Sequence, residues 1–222
     1  MLTVHHLEAS RSHRILWLLE ELGVDYELQI YERDPDTKLA PDSLREIHPL
    51  GKAPVITDGD ITVAESGAII EYLLDKYDED HQLRPPADSD AFGRYRYWMH
   101  YAEGSAMPNL LLRIVFSELP RQTPWPASIP LKALQKQVEA EFISPRIERH
   151  LDYWEAELTE HDYFAGDAFT AADIQMSVPV EGAAKDLEGD EYPRLQQFVE
   201  RLRNRPAHQR AVERGGGLDA AW

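Results

Sequence analysis

Cysteine is absent from the 222 residues. That excludes disulfides, thiolate metal sites and any mechanism built on a cysteine nucleophile of the protein. No apolar run approaches the roughly 20 residues that span a bilayer. The amino end has no basic segment followed by an apolar stretch, so no secretory signal is expected and the simplest address is the cytoplasm. Positive charge is scarce: 23 Lys and Arg stand against 40 Asp and Glu, a formal net charge of −17. No basic stripe offsets that field, which repels nucleic acid and anionic membranes. Solubility is the plainest use for such an excess, and an anionic ligand would need a local positive site inside it. A Gly-x-Gly-x-x-Gly fingerprint, a phosphate-binding loop and a His-Glu-x-x-His spacing are also missing. His5 and His6, neighbours on an expected strand, point to opposite faces and cannot share one metal. No metal is expected.

What is present folds. Apolar residues make up 43% and charged residues 28%, near ordinary globular usage, and the length suits one large domain or two small ones. LTVHHL (2–7) reads as a strand. After Ser10-Arg11-Ser12, the spacing of Ile15, Leu18, Leu19 and Leu22 predicts an amphipathic helix that stops at Gly23. YELQIY (26–31) reads as a second strand, so a right-handed parallel crossover is expected. A short helix around 42–48 follows. Then Pro54–Thr57 and Ile61–Val63, joined by Asp58-Gly59-Asp60, make a strong hairpin signal, and Glu65–Lys76 returns to helical character. This is one α/β unit, residues 1–79. Residues 80–90, with Arg84-Pro85-Pro86 amid acids, read as a linker, and 91–222 as an all-helical domain. Its expected helices are 88–118, 130–160, 171–184 and 192–204, with a short turn after Pro206. Four prolines predict a loop over Leu119–Pro130, and Gly215-Gly216-Gly217 reads as a flexible tail.

Three blocks carry a more specific message: SRSHR (10–14) with the following ILWLLEELG, HPLGKAPVI (48–56) and ESGAIIEYL (65–73). Together, in this order and spacing, they resemble the glutathione S-transferase family, and the likeness runs over nearly the whole chain. The run LAPDSLREIHPLGKAPVI is similar to a branch shared by bacteria and fungi. The resemblance implies a thioredoxin-like α/β N-terminal domain, an all-α C-terminal domain, a homodimer, and glutathione as co-substrate.

Residue by residue, the resemblance puts the catalytic role on Ser10, whose hydroxyl would donate to the glutathione sulfur. A free thiol has a pKa of about 8.5, so a donor and a helix N-terminus beside the sulfur would favour the thiolate. Ser10 or Ser12 capping the helix is the competing reading, and Ser12 suits it better. Arg11 and Arg14 would add positive potential, unless Arg14 forms a structural ion pair. Val4-His5-His6-Leu7 lacks the tyrosine of the tyrosine-type members. Ala53 would offer its backbone N–H and C=O to the cysteinyl part of glutathione ahead of a cis Pro54, much as a strand edge accepts a peptide. Lys52 would meet the glycine carboxylate, or is simply a solvated lysine. Ser66 would bind the γ-glutamyl carboxylate at a helix start and Glu65 its ammonium, although an acid followed by Ser is also an ordinary helix entry.

In the second half, Thr170-Ala171-Ala172-Asp173 is a capping box in its Asp variant, with Phe169 and Ile174 at the staple positions. It resembles the family's folding motif. The electrophile pocket would lie between the domains, with Tyr101, Ser105, Met107 and Leu111 as candidates and Trp125 or Trp222 as lids. Core packing is the competing role for such side chains. The expected activity is thiol transfer to a hydrophobic electrophile, a detoxification chemistry. Glutathione-dependent disulfide or peroxide reduction is the alternative enzymatic reading, and a non-catalytic binding scaffold is the third.

Overall fold

The computed structural model describes residues 1–185 and 191–217. The amino-terminal half runs β1 (Leu2–Leu7), α1 (His13–Leu22), β2 (Glu27–Tyr31), α2 (Leu44–Ile47), β3 (Val55–Asp58), β4 (Ile61–Ala64) and α3 (Ser66–Tyr77). The sheet order is β2-β1-β3-β4. β1 pairs in parallel with β2 (Val4 opposite Leu28) and antiparallel with β3 (Val4 opposite Ile56). α1 makes the crossover that the parallel pair demands. The β3–β4 hairpin turns through Gly59 at φ +60°, the left-handed value a two-residue loop needs at its first position. Gly23, also left-handed, ends α1 and donates its N–H to Leu19 O.

The sequence marks one apolar face on α1, but seven consecutive residues, His13–Leu19, are buried. The sheet and α3 cover one side and helices of the second half cover the other, so the helix is enclosed all round. His13 and Arg14 thereby become interior residues.

The helical half starts with α4 (Asp90–Tyr101), a π turn (Ala102–Ala106) and α5 (Met107–Arg121), one continuous rod. A second rod joins α6 (Ser128–Val138), a π turn (Glu139–Ile143) and α7 (Ser144–Glu160). Each π turn sits just before a proline, Pro108 or Pro145. Proline has no N–H and clashes with the carbonyl four residues back, and a wider turn relieves both problems. α8 (Ala171–Ala184), α9 (Pro193–Arg203) and α10 (Pro206–Gly215) complete the described helices.

Two expectations change here. The proline-rich loop shrinks to residues 122–127: Pro120 lies in the last turn of α5, and Pro130 in the first turn of α6, where no N–H donor is needed. Gly215 does not begin a loose tail. Its carbonyl lies 2.8 Å from His6 Nε2, and a Cβ built on it would sit 2.2 Å from Leu16 Cδ1. Only glycine allows α10 to approach α1 and β1 so closely.

The capping box forms as read. Asp173 accepts from Thr170 N at 2.8 Å and from Phe164 N at 2.9 Å, and Thr170 Oγ1 accepts from Ala172 N. Phe169 lies on the core that contains Ile174, with its ring beside Trp17 and Tyr163. The connection between the halves is tied to this cap: Leu83 is buried and its carbonyl accepts from Ala171 N. The core of the helical half centres on Trp98, Phe164 and Phe198, in ring contact at 4.5 and 5.0 Å.

Candidate active site

Strand register gathers the three sequence blocks at one end of the sheet. Val55 opens β3 opposite His5 of β1 and opposite Ala64, the last residue of β4. Residues 52–54, which precede Val55, and Glu65-Ser66, which follow Ala64, therefore lie beside the chain leaving β1 toward Ser10. Two non-glycine residues at this edge, Ala9 (φ +45°) and Glu65 (φ +74°), are held in left-handed conformations. Each costs about 1–3 kcal/mol, and such strain collects where geometry serves a ligand.

Ser10 is half-buried. Its hydroxyl lies 2.7 Å from Leu7 O and 2.7 Å from Ser12 Oγ, and it accepts from Ser12 N at 3.2 Å. Its single proton faces an internal acceptor, so donation to a ligand requires the hydroxyl to turn outward. Ser12 is fully buried at the N-cap position of α1 yet caps nothing. Its Oγ bonds His6 Nδ1 at 2.9 Å and lies 3.2 Å from Leu7 O. Carbonyls of residues 10–12 take the first helix amides instead. The expected helix cap is thus replaced by a longer-range contact, and the Ser12 hydroxyl has its partners within the protein.

Arg11 and Arg14 do not add two positive charges, because both pair with Glu103 in the first π turn. Arg14 is wholly buried, with Glu103 as its partner and with Nε and Nη2 unpartnered among the described residues. Burial on its own would raise the Glu103 pKa, but Arg14 and Arg11 hold the carboxyl below its ordinary value. Arg14 is therefore the structural ion pair of the two readings. Arg11, on the solvent side of Glu103, stays partly exposed.

The Ala53–Pro54 peptide is cis, as the resemblance implies. Neither the N–H nor the C=O of Ala53 has a hydrogen-bond partner among the described residues, which leaves an open backbone edge. Lys52 is exposed and makes no ion pair among those residues. Ser66 is the first residue of α3, buried, and its hydroxyl likewise has no internal partner. Glu65 is exposed beside it.

The proposed pocket residues separate. Glu103 fixes which side of the first rod faces the α/β half. Tyr101 and Ser105 stand two residues to either side of it, about half a turn away. Tyr101 accordingly bonds His150 of α7 and packs among Trp98, Tyr97 and Tyr153. Ser105 is exposed. Met107 is half-buried against the core, and Leu111, four residues beyond it on α5, is 57% exposed. Trp125 is 80% exposed in the short loop, and Trp222 lies outside the described residues. Reading the sequence missed Glu103 and His6. Two arginines in one turn signal a carboxylate somewhere, but its position 89 residues along the chain from Arg14 is a tertiary fact.

Among the described residues no group of three or more His, Asp or Glu side chains is placed to hold a metal, and no helix is long and apolar enough to cross a membrane. Residues 10–76 match the family described as glutathione S-transferase, N-terminal domain, and residues 127–209 match glutathione S-transferase, C-terminal domain. The chain is 35% identical to glutathione S-transferase 3 of Schizosaccharomyces pombe, with 96% of this chain and 88% of that one covered. It is similar to the crystal structure of a glutathione S-transferase from Actinobacillus pleuropneumoniae, at 35% identity and a TM-score of 0.81, over 99% and 95% of the two chains. A glutathione transferase from Phanerochaete chrysosporium in complex with oxidized glutathione is similar at 25% identity and a TM-score of 0.77, over 98% and 97%.

Proposed function

This chain belongs to the glutathione S-transferase family and is an enzyme of that kind, and on that premise we propose that it is a serine-type member. It binds glutathione at the end of the sheet where β1 stops, and Ser10 favours ionisation of the thiol for attack on a hydrophobic electrophile. The observation that carries this reading is the clustering of three unsatisfied or re-orientable groups at one edge: the Ser10 hydroxyl, the Ala53 backbone and the Ser66 hydroxyl.

Their chemistry suits the three parts of the tripeptide. Ala53 pairs with the cysteinyl backbone as a neighbouring strand would. Ser66 and the open amides at the start of α3 receive the γ-glutamyl carboxylate, with Glu65 near its ammonium. Lys52 and Arg11 supply positive charge for the remaining carboxylate. The sulfur then lies toward Ser10, whose hydroxyl turns from Leu7 O to donate to it. A bound thiolate is held next to the electrophile, so proximity supplies much of the acceleration. Met107 and Leu111 are the apolar residues assigned to that electrophile.

Residues 1–79 form the glutathione domain in this reading, 80–90 the linker and 91–222 the electrophile domain. A cytoplasmic homodimer acting in detoxification completes it. Exposed Leu112, Val115 and Leu119 on α5 leave apolar surface for a second subunit to cover. Turnover of a chloronitrobenzene with glutathione tests the assignment. Ser10→Ala should lose at least about tenfold in kcat/KM, the equivalent of one lost charge-assisted hydrogen bond. Unchanged turnover in that variant refutes the role given to Ser10.

A further inference from the structure

Behind Ser10 lies a hydrogen-bonded chain that thiol activation does not by itself require. Ser10 Oγ is 2.7 Å from Ser12 Oγ, Ser12 Oγ is 2.9 Å from His6 Nδ1, and His6 Nε2 is 2.8 Å from the Gly215 carbonyl. Ser12 is fully buried and His6 is 1% exposed, so the two hydroxyls are the polar route from His6 to the ligand edge. The carbonyl can only accept, which fixes the proton of neutral His6 on Nε2 and leaves Nδ1 as an acceptor. Ser12 then donates to His6, and its own oxygen accepts from Ser10 when the Ser10 proton turns to it from Leu7 O, its other acceptor at 2.7 Å.

Resting on the proposed role of Ser10, we propose that His6 is a positioning residue that receives the glutathione thiol proton through Ser10 and Ser12. The S–H bond breaks as its proton passes to Ser10 Oγ. The Ser10 proton moves to Ser12 Oγ, and the Ser12 proton moves to His6 Nδ1. Both hydroxyls end as they began, the sulfur is a thiolate, and His6 is an imidazolium still bonded to Gly215 O. Each bond between the sulfur and His6 Nδ1 has reversed, so Ser10 now donates to the sulfur. The same two serines thus carry the proton inward and leave the donor pointing outward.

The surroundings of His6 are consistent with a group that is neutral until a negative ligand arrives. Burial lowers its pKa, while the Gly215 carbonyl and Glu8 act to raise it. His13, on the facing helix, is held neutral by burial and so adds no positive charge beside His6. A thiolate at Ser10 adds the missing attraction.

The test counts protons on the intact protein. Glutathione is titrated into it at neutral pH. Thiolate is followed by its ultraviolet absorbance, and proton release by calorimetry in buffers of different ionisation enthalpy. The wild type should form thiolate while releasing well under one proton per thiolate, because His6 keeps it. Ser12→Ala interrupts the chain with a minimal change at a buried position and should release close to one proton per thiolate formed. His6→Gln, which keeps a donor for Gly215 O but cannot ionise, should do the same. Full proton release by the wild type, equal to that of Ser12→Ala, overturns this inference and leaves Ser10 activation standing. No thiolate at all in the wild type overturns both.

Discussion

Replacing Glu103 by Gln probes the joint that holds the Ser10 loop in place. Arg14 is completely buried and has this one carboxylate as its counter-charge, while Arg11 reaches the same group from the solvent side at 2.7 Å. Removing one member of a buried ion pair costs about 3–5 kcal/mol, since the other charge stays buried with no partner to compensate it. Gln keeps one acceptor oxygen for one guanidinium, so the lower end, about 3 kcal/mol, is the working figure. For a chain of this size that corresponds to a fall in Tm of roughly 6–12 °C. Urea unfolding of Glu103→Gln beside Glu118→Gln is the assay. Glu118 pairs with Arg121, which is 73% exposed, so its loss should cost under about 1 kcal/mol. A Glu103→Gln midpoint indistinguishable from that of Glu118→Gln refutes the argument. Because Arg11 and Arg14 flank the Ser10 loop, the variant should also bind glutathione more weakly than its folded fraction alone explains.

Thr170→Ala removes the acceptor for Ala172 N and a donor to Asp173. It should cost about 1–2 kcal/mol in urea unfolding, with unchanged turnover per folded molecule; a cost within error of zero refutes the cap. Acidification should destabilise the fold. Burial and neighbouring histidines lower His13 from 6.5 to about 3, and burial lowers His208 to about 4. The unfolded chain therefore binds protons that the folded one refuses. Stability is fully present above pH 6.5 and is lost as the pH falls toward those values. Asp173, raised to about 6 by burial, acts in the opposite sense, favouring the fold as the pH drops from about 6 to 3.8 and offsetting one histidine. The net slope should be about 1.4 kcal/mol per pH unit for each uncompensated histidine. Urea midpoints that do not change between pH 7 and pH 5, or a slope that His208→Gln leaves untouched, would contradict this.

Local chemistry made much of the fold legible. Strand periodicity, the Gly59 turn and the Thr170–Asp173 box each act within a few residues, and each formed where the sequence put it. Prolines misled at the ends of α5 and α6: Pro130, in a first turn, lacks only an N–H that the helix does not use, whereas Pro120 lies inside α5 and gives up one bond just before the helix stops. Their effect at Pro108 and Pro145, a widened turn just upstream, depends on a helix long enough to continue past them. Within the site, the residues that face the ligand edge were readable from the three motifs. Those behind it were not. Ser12 abandons the cap that local spacing assigns it for His6, and His6 is held by a glycine 209 residues away. Tyr101 sits on a helix near the expected pocket, but the pairing of Glu103 with α1 decides the rotation of that helix and turns Tyr101 toward His150.

A crystal structure of the protein with glutathione bound bears most directly on where its chemistry occurs. The sulfur should lie within hydrogen-bonding reach of Ser10 Oγ, with the cysteinyl backbone paired to Ala53 and the γ-glutamyl carboxylate at Ser66. A tripeptide bound elsewhere, or a sulfur turned away from Ser10, would contradict the account.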